Sequence, residues 1–437
     1  MPVKHSVAHL LQNRTVHRAV LENGIVVLAV ENPAADIVAG RIFIQAGSRY
    51  ELPEQAGLSH LMASVITKGT DRLSSQEIAE QVESVGASLG ADAASDYCLM
   101  SLKTVSADFV EMLELMAEVM RSPAFPEAEV ELERRLTLQG IRSMQEQPFA
   151  VANSQLRQTL YQNHPYALPS LGTEETAAKL TQADLQRYHQ TYFRPDNLVF
   201  SIVGRIASEE AIALVDRFFG DWQPPQQENG QLVPLSIPHT PTLASHPERV
   251  VTVQDTQQAI VMLGYLAVAV DSPDHMALKL LNTYLGNGLS SRLFVELREK
   301  RGLAYEVSAF YPTRADVSHF VAYMGTAPDN AAIALDGLRH EVDRLRTTPL
   351  TAEELQSAKN KLLGQYALGK QTNAQIAQIF GWYETLGLGI AFDEQFQQQV
   401  ADVTVEAAQA VAERYFVEPY VSLVGSEKAV ELAAATI

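Results

Sequence analysis

A guanidinium and a phenol stand close together in the second half of the chain. Arg298 lies near the end of a predicted helix that Ser290 can cap and Gly302 can stop. Tyr305 opens the strand that follows, so both side chains can reach one surface, where two hydrogen-bond donors suit peptide carbonyls. Alternatively, Arg298 belongs to a solvated charged run and Tyr305 packs half-buried against a sheet. Taken alone, the chemistry favours this second interpretation.

Metal ligands and nucleophiles are sparse. His60 lies in a predicted helix, but Ala63 and Ser64 occupy the next turn, so its imidazole stands alone. Three or four protein ligands are the norm for zinc, and no metal site is predicted in this chain. Cys98, the single cysteine, lies in an alternating strand pattern with no histidine nearby in sequence, which predicts a half-buried thiol without catalytic function.

Composition and charge limit the function classes. The chain has 437 residues, of which 46% are hydrophobic and 19% charged, as expected for a folded globular protein of two to four domains. Its formal net charge of −19 argues against binding nucleic acid or anionic membranes and is compatible with basic peptides. We see no signal peptide and no membrane span, so a cytoplasmic protein is expected.

The hydrophobic pattern predicts an α+β fold, with antiparallel sheets that carry helices on one face. Strand patterns cover residues 24–44, 97–105, 250–256, 259–266, 305–311 and 319–326. Helix patterns cover residues 55–67, 75–85, 108–120, 127–145, 150–161, 273–285, 290–300, 330–346 and 352–364. Ser74 or Ser75 is a plausible N-cap of the second helix.

A proline-rich stretch near the midpoint suggests that the chain is a duplication. Residues 224–248 contain six of the 20 prolines and read as a semi-extended linker between an N-terminal half, 1–223, and a C-terminal half, 249–437. Two sequence pairs recur at similar spacing: Tyr192-Phe193 with Tyr415-Phe416, and Gly57-Leu58-Ser59 with Gly288-Leu289-Ser290. The two halves are therefore predicted to be related.

Several of these residues resemble a known family, the M16 zinc metallopeptidases (the pitrilysin, insulinase and mitochondrial-processing-peptidase group), and its bacterial M16B branch in particular. The resemblance runs nearly end to end and is carried by residues 45–51, 56–60, 68–70, 85–91, 96–97 and 290–305. Arg298 and Tyr305 match the family's Arg/Tyr pair. The resemblance implies two LuxS/MPP-like halves in a clamshell-type assembly.

The zinc motif departs from the family pattern. The family motif is His-x-x-Glu-His with a further glutamate ligand downstream. Here His60 keeps the first position, Ala63 stands at that of the general base, and Ser64 at that of the second histidine. Gly140 occupies the position of the third ligand. The chain is therefore expected to hold no metal, to contain no catalytic residue and to hydrolyse no peptide alone.

The resemblance implies that zinc binding and substrate binding belong to two different chains. A heterodimer partner with an intact His-x-x-Glu-His motif would hold Zn²⁺, while Arg298 and Tyr305 of this chain would bind the carbonyl of a peptide substrate. An edge strand to which an extended peptide could add is assigned to Ala87, Ser88, Leu89, Gly90 and Ala91. The alternatives are a catalytically inert structural or assembly subunit and a peptide-binding homodimer.

Overall fold

The chain forms two compact units. A computed structural model describes residues 3–11, 14–227, 231–235 and 240–434. The first unit comprises Met1–Ile141, Leu168–His239 and Leu368–Glu394, and the second comprises Arg142–Ala167, Thr240–Ala367 and Gln395–Ile437. Each unit thus includes a segment from the other half of the sequence, while the boundaries inferred at residues 223 and 249 stay a prediction.

Helices and strands follow one another in a similar order in both halves. The first half contains β1 (Val3–Leu11), β2 (Arg14–Leu21), β3 (Val26–Glu31), β4 (Ile37–Ile44), α1 (Leu58–Val65), α2 (Ser75–Ser84), β5 (Ser88–Ala93), β6 (Cys98–Val105), α3 (Phe109–Arg121), α4 (Glu127–Gln145), α5 (Pro148–Tyr161), α6 (Glu174–Ala177), α7 (Gln182–Tyr192), β7 (Leu198–Gly204) and α8 (Ser208–Phe219). The second half contains β8 (Arg249–Val253), β9 (Ala259–Ala267), α9 (His275–Gly286), β10 (Ala304–Phe310), β11 (Ser318–Thr326), α10 (Ala331–Thr347), α11 (Ala352–Leu368), α12 (Asn373–Thr385), α13 (Phe392–Asp402), α14 (Val405–Tyr415), β12 (Tyr420–Gly425) and α15 (Glu427–Ala434).

The two sheets repeat one topology. The first sheet has the order β1-β2-β3-β7-β4-β6-β5, and the second has the order β10-β11-β9-β12-β8. The sequence β3-β7-β4-β6-β5 therefore corresponds to β8-β12-β9-β11-β10, including the one parallel pair in each sheet. This correspondence confirms the α+β class and the two related halves. It also makes β5 and β10 equivalent edge strands.

One helix covers the second face of each sheet, which the sequence pattern did not show. In the first unit, α12 packs on β4 and β7, and Gly381 permits the approach because a Cβ there would lie 2.4 Å from the Phe43 ring. In the second unit, α5 packs on β9 and β12, where Leu156 and Leu160 contact Gly264. The larger apolar core of the first unit lies on the opposite face, against α1, α3 and α8.

Local sequence signals explain most element boundaries. Helix α2 begins as predicted, because the Ser74 hydroxyl caps the N–H of Glu77 and the Glu77 carboxylate caps Ser74 in return. Helix α4 coincides with the predicted range. Helix α1 is shorter than predicted, because residues 53–55 form a separate 3₁₀ turn. The described parts of 224–248 contain no helix, and their function as a linker stays a prediction. Among all described residues, no helix is long and apolar enough to cross a membrane.

Candidate functional site

Arg298 lies on an irregular helical turn. Residues Phe294–Glu299 form a π-helix, in which the N–H of Lys300 donates to the carbonyl of Val295 at 3.0 Å. The guanidinium of Arg298 is exposed and lies 5.0 Å from the centroid of the Phe294 ring. π-helical turns are rare in proteins, and many of those that occur lie at functional sites.

The turn after Arg298 is closed by a C-capping motif. Gly302 has φ +62°, and its N–H donates to the carbonyl of Arg298 at 3.1 Å. The N–H of Leu303 donates to the carbonyl of Leu297 at 2.9 Å, and Leu297 is fully buried. The bond from Gly302, a glycine in the left-handed conformation, is an αL C-cap, and the bond from Leu303 spans one residue more at each end. Together they fix the direction in which the chain leaves the helix.

Tyr305 occupies a β-bulge. Ala304 pairs with Thr326, and Glu306 pairs with Gly325. Strand β10 therefore has one extra residue at this point, and that residue, Tyr305, has no register partner on β11. Both Tyr305 and Glu306 are consequently exposed, Tyr305 by 62%. Bulges commonly re-aim a side chain beside a functional site. The expectation that Tyr305 is half-buried is wrong, because the bulge breaks the in-and-out alternation of the strand.

The two exposed side chains flank one short turn in the second unit. Tyr305 also lines a shallow groove with the loop that joins β8 to β9. That loop contributes the polar side chains of residues 255–258. The arrangement leaves the phenol and the guanidinium free to donate hydrogen bonds to an external acceptor, which is the chemistry expected from the sequence.

His60 lies on α1 in the first unit and is partly buried. Burial lowers the pKa of its imidazole, and the nearby Glu133 carboxylate on α4 opposes that shift. Glu133 is itself paired with the ammonium group of Lys68 at 3.0 Å. At this corner a neutral imidazole therefore lies near an ion-paired carboxylate, and they are not part of any group of three metal-ligating residues in the described part of the chain.

The remaining positions of the zinc motif offer no ligand. Ala63 is buried, and the hydroxyl of Ser64 donates to the carbonyl of His60 at 3.0 Å within the same helix. Gly140 has no side chain and faces Leu171. Among the described residues, no group of three His, Cys, Asp or Glu could hold a metal ion. The residues present therefore do not fit a zinc ion.

Glu51 anchors the start of the helix that carries His60, a contact that sequence reasoning missed. Its carboxylate accepts hydrogen bonds from the backbone N–H groups of Gly57 and Ser59, at 2.9 and 2.6 Å. The Ser59 hydroxyl also donates to it, at 2.5 Å. Burial is nonetheless dominant and raises the pKa of Glu51 to about 7. Nothing in the local sequence distinguishes this glutamate from a solvated one.

Cys98 is buried at the start of β6, 3.9 Å from the hydroxyl of Tyr188. Burial raises the pKa of the thiol to about 12, so the reactive thiolate is not populated near neutral pH. The prediction of a half-buried thiol is wrong, because Cys98 packs within the apolar core of the first unit and is 3% exposed.

The strand proposed for peptide addition is an edge strand. Ser88, Leu89, Gly90 and Ala91 belong to β5, which among the described strands pairs with β6 alone. Ala87 precedes the strand, and its N–H donates to the carbonyl of Val82 at 3.0 Å. The outer edge of β5 therefore exposes backbone groups that an extended peptide could pair with.

Two domain models of one peptidase family match the chain. Residues 26–174 match "Insulinase (Peptidase family M16)", and residues 179–362 match "Peptidase M16 inactive domain". Together the two matched ranges include both corners described above.

Known proteins of similar sequence and structure cover nearly the whole chain. The uncharacterized zinc protease YmxG of Bacillus subtilis is 28% identical over 406 residues, which are 93% of this chain and 97% of that protein. A crystal structure of a peptidase M16 inactive domain from Pseudomonas fluorescens superposes with a TM-score of 0.85 at 25% identity, covering 94% of this chain and 98% of the other. A protease from Helicobacter pylori shares the fold, with a TM-score of 0.85 at 24% identity, covering 93% and 98%.

Proposed function

The chain belongs to the M16 peptidase family, and we propose that it is the non-catalytic, substrate-binding subunit of a two-chain zinc peptidase. Its partner would be a second M16 chain with an intact His-x-x-Glu-His motif, and the substrate would be a peptide. The cytoplasmic location inferred from the sequence stays a prediction.

One contrast carries this proposal. The corner around His60 lacks every other ligand of the family motif, whereas Arg298 and Tyr305 are both exposed on fixed, irregular backbone. A π turn and a β-bulge are irregular backbone features that are kept only where surrounding contacts hold them in place. Such features are common at functional sites. A chain that served only as a scaffold would have no need to display this pair.

The two side chains would act on the substrate carbonyl. Arg298 would donate to a peptide carbonyl oxygen and orient the chain, while the Tyr305 hydroxyl would donate to the oxygen that gains negative charge during attack. Zinc held by the partner would supply the activated water. Neither residue of this chain needs to change its protonation state for that function.

Reconstitution with a zinc-motif homologue tests the proposal. The mixture is expected to cleave a fluorogenic peptide, whereas each chain alone is nearly inactive. Because a single oxyanion donor is worth about 10²-fold in kcat, Tyr305→Phe should reduce the mixed activity by about that factor. Arg298→Ala removes a group that orients the substrate and should also reduce the mixed activity, by up to about 10²-fold. Arg301→Ala, an exposed arginine one turn away, is the matched control and should leave activity unchanged.

Two outcomes would reject the proposal. Unchanged mixed activity in both variants would show that the pair takes no part, and would favour a structural subunit. A homodimer that binds peptide without any partner, detected by light scattering and fluorescence anisotropy, would favour a peptide-binding protein without catalysis.

A further inference from the structure

We propose that Thr326 is a positioning residue that sets the direction of the Tyr305 side chain. The inference rests on the proposed function of Tyr305 and adds a residue to which the M16 motif positions above assign no role. Thr326 ends β11 and is fully buried, so it cannot contact substrate itself.

The hydroxyl of Thr326 holds the backbone immediately before the bulge. Its Oγ1 donates to the carbonyl of Leu303 at 2.6 Å. Thr326 is also the register partner of Ala304, so its side chain reaches one residue beyond the end of the strand pairing. The bond therefore lies on the N-terminal side of Tyr305.

A second bond from β11 lies on the other side of Tyr305. The hydroxyl of Tyr323 donates to the carboxylate of Glu306 at 2.7 Å. The unpaired residue of the bulge is consequently bracketed by two side-chain bonds from one strand. A one-residue slip would turn every following side chain to the opposite face, so ties on both sides oppose that slip.

The Leu303 residue also connects the bulge to Arg298. Its N–H donates to the carbonyl of Leu297 at the helix end, and its carbonyl accepts from the hydroxyl of Thr326. Both polar groups of one residue are thus fixed, one to the helix and the other to the sheet. The Thr326 hydroxyl therefore controls the spacing between the guanidinium and the phenol as well as the direction of the phenol.

Substitution to valine isolates the hydroxyl. Thr326→Val keeps the branched shape and removes the donor, while Thr326→Ser keeps the donor and removes a methyl group. Ser318→Ala is the matched control, because Ser318 begins the same strand, is fully buried and donates to the carbonyl of Pro312, also at 2.6 Å. All three variants are measured in the reconstituted complex with the zinc-motif partner.

The expected result is specific to Tyr305. Thr326→Val should lower kcat by about tenfold or more, since small displacements of a binding group can cost up to about 10²-fold, and should change KM little. Thr326→Ser should restore most of the rate, and Ser318→Ala should not reduce it. In a Tyr305→Ala background, Thr326→Val should have no further effect on kcat, because the two residues act as a unit.

The outcomes separate this inference from the proposed function. If Tyr305→Ala lowers the rate but Thr326→Val does not, the positioning role is wrong and the proposed function stands. Additive effects in the double variant would also overturn it, because a purely structural loss does not depend on Tyr305. If Tyr305→Ala itself leaves the rate unchanged, the proposed function fails and the inference fails with it. Should the valine variant not fold, Thr326→Ala takes its place in the same cycle.

Discussion

The N–H of Gly302 lies 3.1 Å from the carbonyl oxygen of Arg298, and Gly302 holds the left-handed φ of +62° that this bond requires. The helix that presents the guanidinium is thus closed by a residue whose backbone other amino acids adopt only with strain. Beyond its two chain neighbours, no described atom lies within 4 Å of the place that a Cβ would take on Gly302, so the backbone conformation and not the available space requires glycine.

Gly302→Ala should therefore lower the free energy of unfolding by about 1 kcal/mol. Gly364→Ala is the matched control, because Gly364 also has open space around its Cβ but lies within α11. That substitution should raise stability by about 0.5 to 1 kcal/mol, since alanine favours the helix. Urea unfolding curves measure both. Equal signs for the two variants would contradict the conformational argument.

Glu51 should make stability depend on pH. Its pKa is raised from 4.5 to about 7 in the folded protein, so folding favours the protonated carboxyl group. The resulting contribution to the free energy of unfolding is fully present below about pH 4.5 and is lost as the pH rises through about 7. Between about pH 4.5 and pH 7, the free energy of unfolding of the wild type should therefore fall relative to that of Glu51→Gln by up to about 3 kcal/mol. Measuring the difference removes the opposite contribution of the buried histidines, which both proteins share. Parallel pH profiles for the two proteins would show that Glu51 stays ionised.

The buried ion pair behind the π turn should be sensitive to the loss of one partner. Arg292 Nε donates to the Glu341 carboxylate at 2.6 Å, and the two side chains are 10% and 7% exposed. Arg292→Met should lower the free energy of unfolding by about 3 kcal/mol or more, because it leaves a buried carboxylate unpaired. Adding Glu341→Leu should recover much of that loss, because it removes the unpaired charge. The pair of Lys428 and Asp329 is exposed, so Lys428→Met should have a much smaller effect. Thermal unfolding compares them, and similar losses at both sites would contradict the burial argument.

Zinc binding should follow the residues of the motif. The purified chain is expected to contain no stoichiometric zinc, while the triple variant Ala63→Glu, Ser64→His, Gly140→Glu should bind it. Gly140 can accept a side chain, because a Cβ there meets only Leu171 at 3.6 Å. The hydroxyl of Ser64 donates to the carbonyl of His60, so the hydrogen bond that its replacement removes lies within α1.

Atomic absorption after dialysis against a chelator measures the zinc content. Adding His60→Ala to the triple variant should abolish binding, since the first ligand is then lost. Tightly held zinc in the unmodified chain would contradict the assignment of the metal to a partner. It would leave the structural observations on Arg298 and Tyr305 unchanged.

Much of the fold was determined by sequence, because its signals are local. The period of α4 and the serine cap of α2 depend on residues three or four apart. The range of α4 was predicted correctly, and Ser74 was one of the two serines proposed as the cap. The family followed from motif residues at fixed spacing, including His60 and the seven-residue interval from Arg298 to Tyr305. The sequence also predicted the loss of the second and third ligands and of the general base, because Ser64, Gly140 and Ala63 stand at those positions.

Tertiary structure alone decided how the candidate site is presented. The exposure of Tyr305 depends on its lack of a partner on β11, and the Thr326 hydroxyl reaches Leu303 only because the two strands pair in that register. The π turn beneath Arg298 and the packing of α5 and α12 on the sheets likewise depend on contacts between residues far apart in sequence. Such contacts leave no periodic signal in the chain, so the sequence supplied the chemical groups and the fold supplied their directions.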